Sequence, residues 1–344
     1  MEELNYLQWL ARDTPTTWWH DSADPDEFAF GLANGATGVT TNPVLTAQAL
    51  SSRPDYWKDR LEQLSADLTS DGKVAALMRS VAQPLAAQLQ PVFEASSGDQ
   101  GYVCAQVDPM AAADRDVMLT LARQFHKWAP NIAVKLPVTA ASLDVLEQCI
   151  AEGITITATV SFTVSQVIAI AERHKKGAER ARLAGIKPGH CFAVIMIGRI
   201  DDYLLDVARD RRADISEQDI RCAGIAISKR AYGIFQERQY KAVLLVAALR
   251  GTYHMTDLAG AELIMSIHPK YQALLCQPGV PRSLGIDNTV DNDCIERLKE
   301  LPEFVKAYEP DGMGPEDFIT FGVTQKTLSQ FYHVGWANLE EYQS

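Results

Sequence analysis

The sequence predicts an α/β protein of the (β/α)8 (TIM) barrel type, carrying extra helices and a C-terminal extension. Eight short apolar runs alternate with segments of helical spacing. Most of these runs are apolar at consecutive positions, as in parallel strands covered on both faces. Eight such units close a parallel sheet on itself, and the 344 residues, 47% of them hydrophobic, suffice for one barrel with additions. A doubly wound open sheet is the runner-up. No Gly-x-Gly-x-x-Gly follows the first run, so dinucleotide binding lacks its usual signal.

In chain order, the candidate strands are 17–20, 38–41, 102–107, 132–136, 154–159, 191–197, 242–249 and 262–267. Helical spacing appears at 26–33, 111–126, 140–151, 165–174 and 254–258. Three regions exceed a minimal barrel. Residues 43–100 hold about three helical patterns where one would do, and the charged stretch 201–238 separates the sixth and seventh strands. Residues 277–344 follow the last strand with mixed helix and loop signals. The expected organisation is therefore a catalytic barrel over 1–276, with insertions near 43–100 and 201–238, and an extension over 277–344 packing on it. The insertion and the extension are read as covering one face or supporting a homodimer, and the sequence leaves that choice open.

A net charge of −12 argues against a nucleic-acid partner but leaves an anionic small molecule admissible, because local charge decides that. Six scattered cysteines form no Cys-x-x-Cys pair, no apolar run approaches a membrane span, and no signal peptide is read. The expectation is a cytoplasmic protein with reduced thiols and no membrane association. The seven histidines show no His-x-His or His-Glu-x-x-His spacing, so no metal is expected. The one tempting cluster is His20, Asp21 and Asp24.

Lys135 is the most informative residue. It interrupts the apolar run Asn131-Ile132-Ala133-Val134-Lys135-Leu136-Pro137. Burial disfavours an ammonium relative to the free amine, and a free amine can form a Schiff base with a carbonyl. The alternative is a stem packed on the strand with its head at the rim. Catalytic groups of a barrel sit at the C-terminal ends of strands. That rule selects Asp21, Asn42, Gln106, Lys135, Thr159, Arg199 and Arg250.

As residue types they fit together. Asp21 is suited to moving a hydroxyl proton during carbon–carbon cleavage, Gln106 and Thr159 to holding a water, and Asn42 to bonding a hydroxyl. The two arginines suit a terminal anion. Each also has a plain reading. Asp21 could cap the helix entering at Asp24-Pro25, and Thr41-Asn42-Pro43 reads as a turn into a helix. Gln106 could satisfy backbone, and Thr159 is a good strand former. Arg199 could pair with Asp201 or Asp202, and Arg250 could balance a strand end.

Taken together, Gly38-Val39-Thr40-Thr41-Asn42-Pro43, Ala133-Val134-Lys135-Leu136-Pro137-Val138-Thr139, Gly153-Ile154 through Thr159, Gly198-Arg199-Ile200 and Ala247-Ala248-Leu249-Arg250 resemble the transaldolase family over roughly residues 15–275. The length and the 201–238 stretch are similar to the larger, classical members. The resemblance implies transfer of a dihydroxyacetone unit from a ketose phosphate, or a similar anionic ketose, to an aldehyde through a lysine Schiff base, without cofactor. It implies Lys135 as the imine lysine, Asp21 as acid/base, and Thr159 and Gln106 as water-handling residues. Thr41, Asn42 and Met196 would line the substrate, and Arg199 and Arg250 would hold its anionic end.

Three positions depart from the family pattern. Gln106 stands where classical transaldolases carry glutamate and the fructose-6-phosphate aldolase branch carries glutamine. Met196 replaces an aromatic residue, and Ala248 replaces a serine. The alternatives are a simple aldolase that releases free dihydroxyacetone and a catalytically silent sugar-binding protein.

Overall fold

The computed structural model describes residues 4–64 and 70–342. Eight parallel strands close into a barrel in chain order: β1 (Thr17–His20), β2 (Gly38–Val39), β3 (Tyr102–Gln106), β4 (Ile132–Pro137), β5 (Ile156–Thr159), β6 (Cys191–Met196), β7 (Val243–Ala247) and β8 (Ile264–Ile267). β8 returns to pair with β1, so the sheet has no edge. Every residue of β3, β4 and β6 is buried, which explains their unbroken apolar runs. Among the described residues, no helix is long and apolar enough to cross a membrane.

Several strands are shorter than the sequence pattern, for local reasons. β2 stops at Val39, and beyond it the Thr40 and Thr41 hydroxyls turn to Asp21 and to the Cys104 carbonyl. β7 stops at Ala247 because Ala248 adopts φ +57. After β5, Val160 takes φ +54, an uncommon conformation for a β-branched side chain. Both left-handed residues lie at the C-terminal mouth, where strain tends to accompany a site. The helix after β5 runs further than its apolar spacing suggests, over Val164–Leu183, because Ala178 and Ala181 extend its buried face.

Caps mark the passage from strand to helix. Asp24 caps Pro25–Ala33, Asn42 caps Pro43–Ser52, Thr139 caps Ala140–Ala151 and Thr163 caps Val164–Leu183. The surplus in 43–100 comprises helices Pro43–Ser52, Pro54–Leu61 and Ser70–Ala95, and residues 65–69 lie outside the described set. Between β6 and β7 stand two packed helices, Ile197–Arg211 and Glu217–Glu237.

The segment after β8 crosses the mouth. Its helices Asn292–Leu298 and Pro302–Tyr308 pack on Glu217–Glu237, held by Arg297–Asp219 (2.6 Å) and Arg230–Glu309 (2.5 Å). Helix Gly322–Phe331 packs on Ile197–Arg211, and the π-helical turn Tyr332–Trp336 packs on Pro43–Ser52 on the other side of the barrel. Gly335 makes that crossing tight. A Cβ there would stand 2.7 Å from the Val44 nitrogen and 2.8 Å from Pro43 Cβ.

Candidate active site

A cavity of about 190 Å³ opens at the C-terminal mouth, and its walls include Asp21, Asn42, Lys135, Thr159, Met196, Arg199 and Arg250. A larger one, about 680 Å³, lies at the opposite end beside Thr17, Val243 and Ile264, where strands begin. In barrels of this type, chemistry belongs to the ends where strands finish, so the smaller cavity is the candidate site.

Register fixes the floor. Lys135 of β4 sits level with Gln106 of β3 and Thr157 of β5, and Pro137 sits level with Thr159. Side chains alternate along β5, so Thr157 and Thr159 both face inward and line the cavity. Lys135 is 6% exposed, and its Nζ donates to the Thr41 carbonyl at 3.2 Å. It does not reach bulk water as a snorkelling head would. No carboxylate pairs with it among the ion pairs of the described residues.

Asp21 lines the same cavity and is not a helix cap, since Asp24 takes that role. Thr40 Oγ1 donates to Asp21 Oδ1 at 2.6 Å and lies 2.6 Å from Ser266 Oγ. With the Thr40 proton directed at Asp21, Ser266 is the donor to Thr40. A chain of two hydroxyls therefore orients the carboxylate and leaves Oδ2 for the cavity. Asn42 combines both of its readings. Its Oδ1 accepts from the Leu45 N–H at 3.0 Å as a cap, and its Nδ2 remains for a ligand. Thr159 Oγ1 is 3.9 Å from Met196 Sδ, a soft contact that a substrate hydroxyl or water can displace.

Two expected residues stand outside the walls. Thr41 directs its hydroxyl to the Cys104 carbonyl at 2.5 Å, so its part in the site is the carbonyl that holds Lys135. Gln106 is 1% exposed and does not line the cavity, although its Oε1 makes no hydrogen bond among the described residues. His20 is the last residue of β1 and Asp21 follows it, with its side chain on the cavity side. The His20 ring packs on Phe28 and Gly31, away from the cavity.

The arginines are arranged differently from the sequence pairing. Asp202 takes Arg250, with Arg250 Nε and Nη2 both within 3.0 Å of Oδ2. Arg250 Nη1 donates to the Ala248 carbonyl at 2.7 Å. The approach needs Gly198, because a Cβ there would fall 2.1 Å from that carbonyl oxygen and 2.5 Å from Arg250 Cγ. Asp201 turns away to His254 at 3.0 Å, both being buried, and it also accepts the Gly224 N–H at 2.8 Å. His254 Nδ1 accepts the Arg250 N–H at 3.1 Å, so its proton resides on Nε2 and points at Asp201. Burial pushes the Asp201 carboxyl up, and His254 and the Gly224 N–H oppose it.

Arg199 pairs with neither aspartate. Its Nη1 donates to Gln330 Oε1 at 2.6 Å, and its guanidinium lies 5.2 Å from the Phe331 ring centre. Burial, with Arg250 nearby, pulls the Arg199 guanidinium down to about 10, partly offset by Asp202 and Asp21. It stays cationic at neutral pH, and a nearby anion would be favoured. Phe331 is itself a wall of the cavity. Thr40, Ser266, Gln330, Phe331 and the His254–Asp201 pair were not among the residues selected from sequence.

Fold and site together define a (β/α)8-barrel protein with a buried lysine, a carboxylate and two arginines around one C-terminal cavity. The family model for Transaldolase/Fructose-6-phosphate aldolase matches residues 18–309, and the chain belongs to that family. It is similar to "Transaldolase 1" of Streptomyces avermitilis, 28% identical over 205 residues, which are 58% of this chain and 54% of the relative. The "Transaldolase" of Kocuria rhizophila is 28% identical over 207 residues, 58% of this chain and 55% of the relative. That of Mycobacterium tuberculosis is 29% identical over 205 residues, with the same two shares. The matched part of the chain spans about half the length of these curated relatives.

Proposed function

We propose that the protein transfers a dihydroxyacetone unit from an anionic ketose, such as a sugar phosphate, to an aldehyde acceptor through a Schiff base on Lys135. The observation that carries this reading is the Lys135 amine, buried and without a carboxylate partner among the described residues, in one small cavity with Asp21, Asn42, Thr159 and Arg199. In this reading the amine adds to the C2 carbonyl of the donor, and loss of water gives the imine. Asp21 takes the proton of the C4 hydroxyl as the C3–C4 bond breaks and the first aldehyde departs. The three-carbon enamine adds to the acceptor aldehyde, and Asp21 returns the proton to the new alkoxide. Water then hydrolyses the imine and frees Lys135. Asn42 Nδ2 bonds a hydroxyl of the three-carbon unit, and Thr159 assists the water. Arg199 and Arg250 supply positive charge for the far end.

A second reading, simple aldol cleavage with release of free dihydroxyacetone, is favoured by Gln106. It is level with Lys135 and carries an amide, which does not relay a proton as a carboxylate would. Borohydride reduction with ketose phosphates, followed by mass mapping, tests the shared chemistry. A single three-carbon adduct on Lys135 is expected, and an adduct elsewhere, or none with any ketose, sinks it. Product analysis with and without an acceptor aldehyde separates transfer from cleavage.

A further inference from the structure

The segment that supplies Gln330 and Phe331 lies beyond residues 18–309, the part matched by the family model. It nevertheless reaches the cavity and grips Arg199 from two directions. Gln330 ties down Nη1, and the Phe331 ring packs against the guanidinium. Arg199 Nε is buried without a hydrogen-bond partner, and Nη2 makes no hydrogen bond among the described residues. The Nε–Nη2 edge is the fork that matches two oxygens of a phosphate, sulfonate or carboxylate. Arg250 differs, because all of its side-chain nitrogens already face Asp202 or backbone carbonyls.

We propose that Gln330 and Phe331 are positioning residues that aim the open Nε–Nη2 edge of Arg199 at the terminal oxyanion group of the donor. This rests on the reading that the donor is an anionic ketose held on Lys135. Specificity for a charged donor thus resides partly in the crossing segment. Arg250, its nitrogens engaged by Asp202 and backbone carbonyls, adds charge near the anion and is not a second fork. The segment has further anchors after Phe331, in buried Trp336, the close packing of Gly335 on Pro43 and Val44, and the bond from Lys73 Nζ to the Glu340 carbonyl. Changes at 330 and 331 therefore test aim without removing the anchor.

The experiment compares half-saturating concentrations for borohydride trapping of fructose 6-phosphate and of neutral dihydroxyacetone on Lys135. It uses the full chain and the variants Gln330→Ala, Gln330→Glu and Phe331→Leu. In wild type, the phosphate donor saturates at the lower concentration. Gln330→Ala and Phe331→Leu raise the value for fructose 6-phosphate by about tenfold, while that for dihydroxyacetone moves less than about threefold. Gln330→Glu keeps an acceptor for Nη1 but sets a negative charge beside the anion, so it raises the phosphate value further. Equal shifts for both ketones, restoration by Gln330→Glu, or a wild type with no preference for the phosphate overturns the proposal. A wild type without any adduct on Lys135 defeats the Schiff-base reading itself, a result distinct from these.

Discussion

Replacing His254 with alanine removes two hydrogen bonds and a fully buried ring from beneath the arginine cluster. The bond from His254 Nε2 to the Asp201 carboxylate, at 3.0 Å, is charge-assisted and contributes about 1.5–3 kcal/mol. The bond from the Arg250 N–H to Nδ1 contributes roughly 1 kcal/mol. Asp201 is left buried with the Gly224 N–H as its remaining hydrogen bond, which is the situation that makes breaking one side of a buried pair costly. The expected loss is about 3–5 kcal/mol. Urea unfolding at neutral pH reads it as a fall in midpoint with an unchanged slope.

A cycle with Asp201→Asn sharpens the test. The two changes should couple by about 1–3 kcal/mol, because both act on the same charge-assisted contact. A loss under about 1 kcal/mol for His254→Ala, or strict additivity in the cycle, refutes the buried relay. Because the relay ends on the backbone of Arg250, the same variant should raise the KM for an anionic donor more than it lowers kcat.

Acid stability should depend on two buried histidines. Burial pulls the His20 and His174 imidazoles from 6.5 down to about 4 each, so the folded state resists protons that the unfolded chain binds. Their contribution is present above pH 6.5 and is lost as the pH falls toward 4, up to roughly 3 kcal/mol per histidine. Urea midpoints at pH 7.5, 5.5 and 4.5 should fall less steeply for His174→Gln than for wild type, and parallel slopes would contradict this. Thr40→Val removes the hydroxyl that orients Asp21 and should lower turnover by about tenfold while leaving borohydride trapping on Lys135 intact. An unchanged kcat would take Thr40 out of the mechanism.

The barrel was readable because parallel strands buried on both faces leave unbroken apolar runs. One rule then gathered the site, since all eight strands finish at one mouth. Lys135, Asp21, Asn42, Thr159, Met196, Arg199 and Arg250 reach one cavity for that reason. Arg199 and Asp201, near the start of one helix, are two positions apart and face different directions. Sequence proximity suggested a pair there that helical geometry forbids. Thr41 differs in a related way, because its hydroxyl turns to the Cys104 carbonyl, a contact that the sequence does not signal. Gln330 and Phe331 carried no local signal. Their partner lies 131 residues away from Gln330, and no periodicity encodes such a meeting.

That long reach has a consequence for the order in which the site comes into being. The barrel has all its strands once Ile267 is made, yet the cavity wall supplied by Phe331 is synthesised much later. Domains begin to fold from the N-terminal side during synthesis. The nascent chain can therefore own a closed barrel with Lys135 in place while its anion grip is still unset. On the proposed reading, activity toward charged sugars would arrive only once the crossing segment has docked.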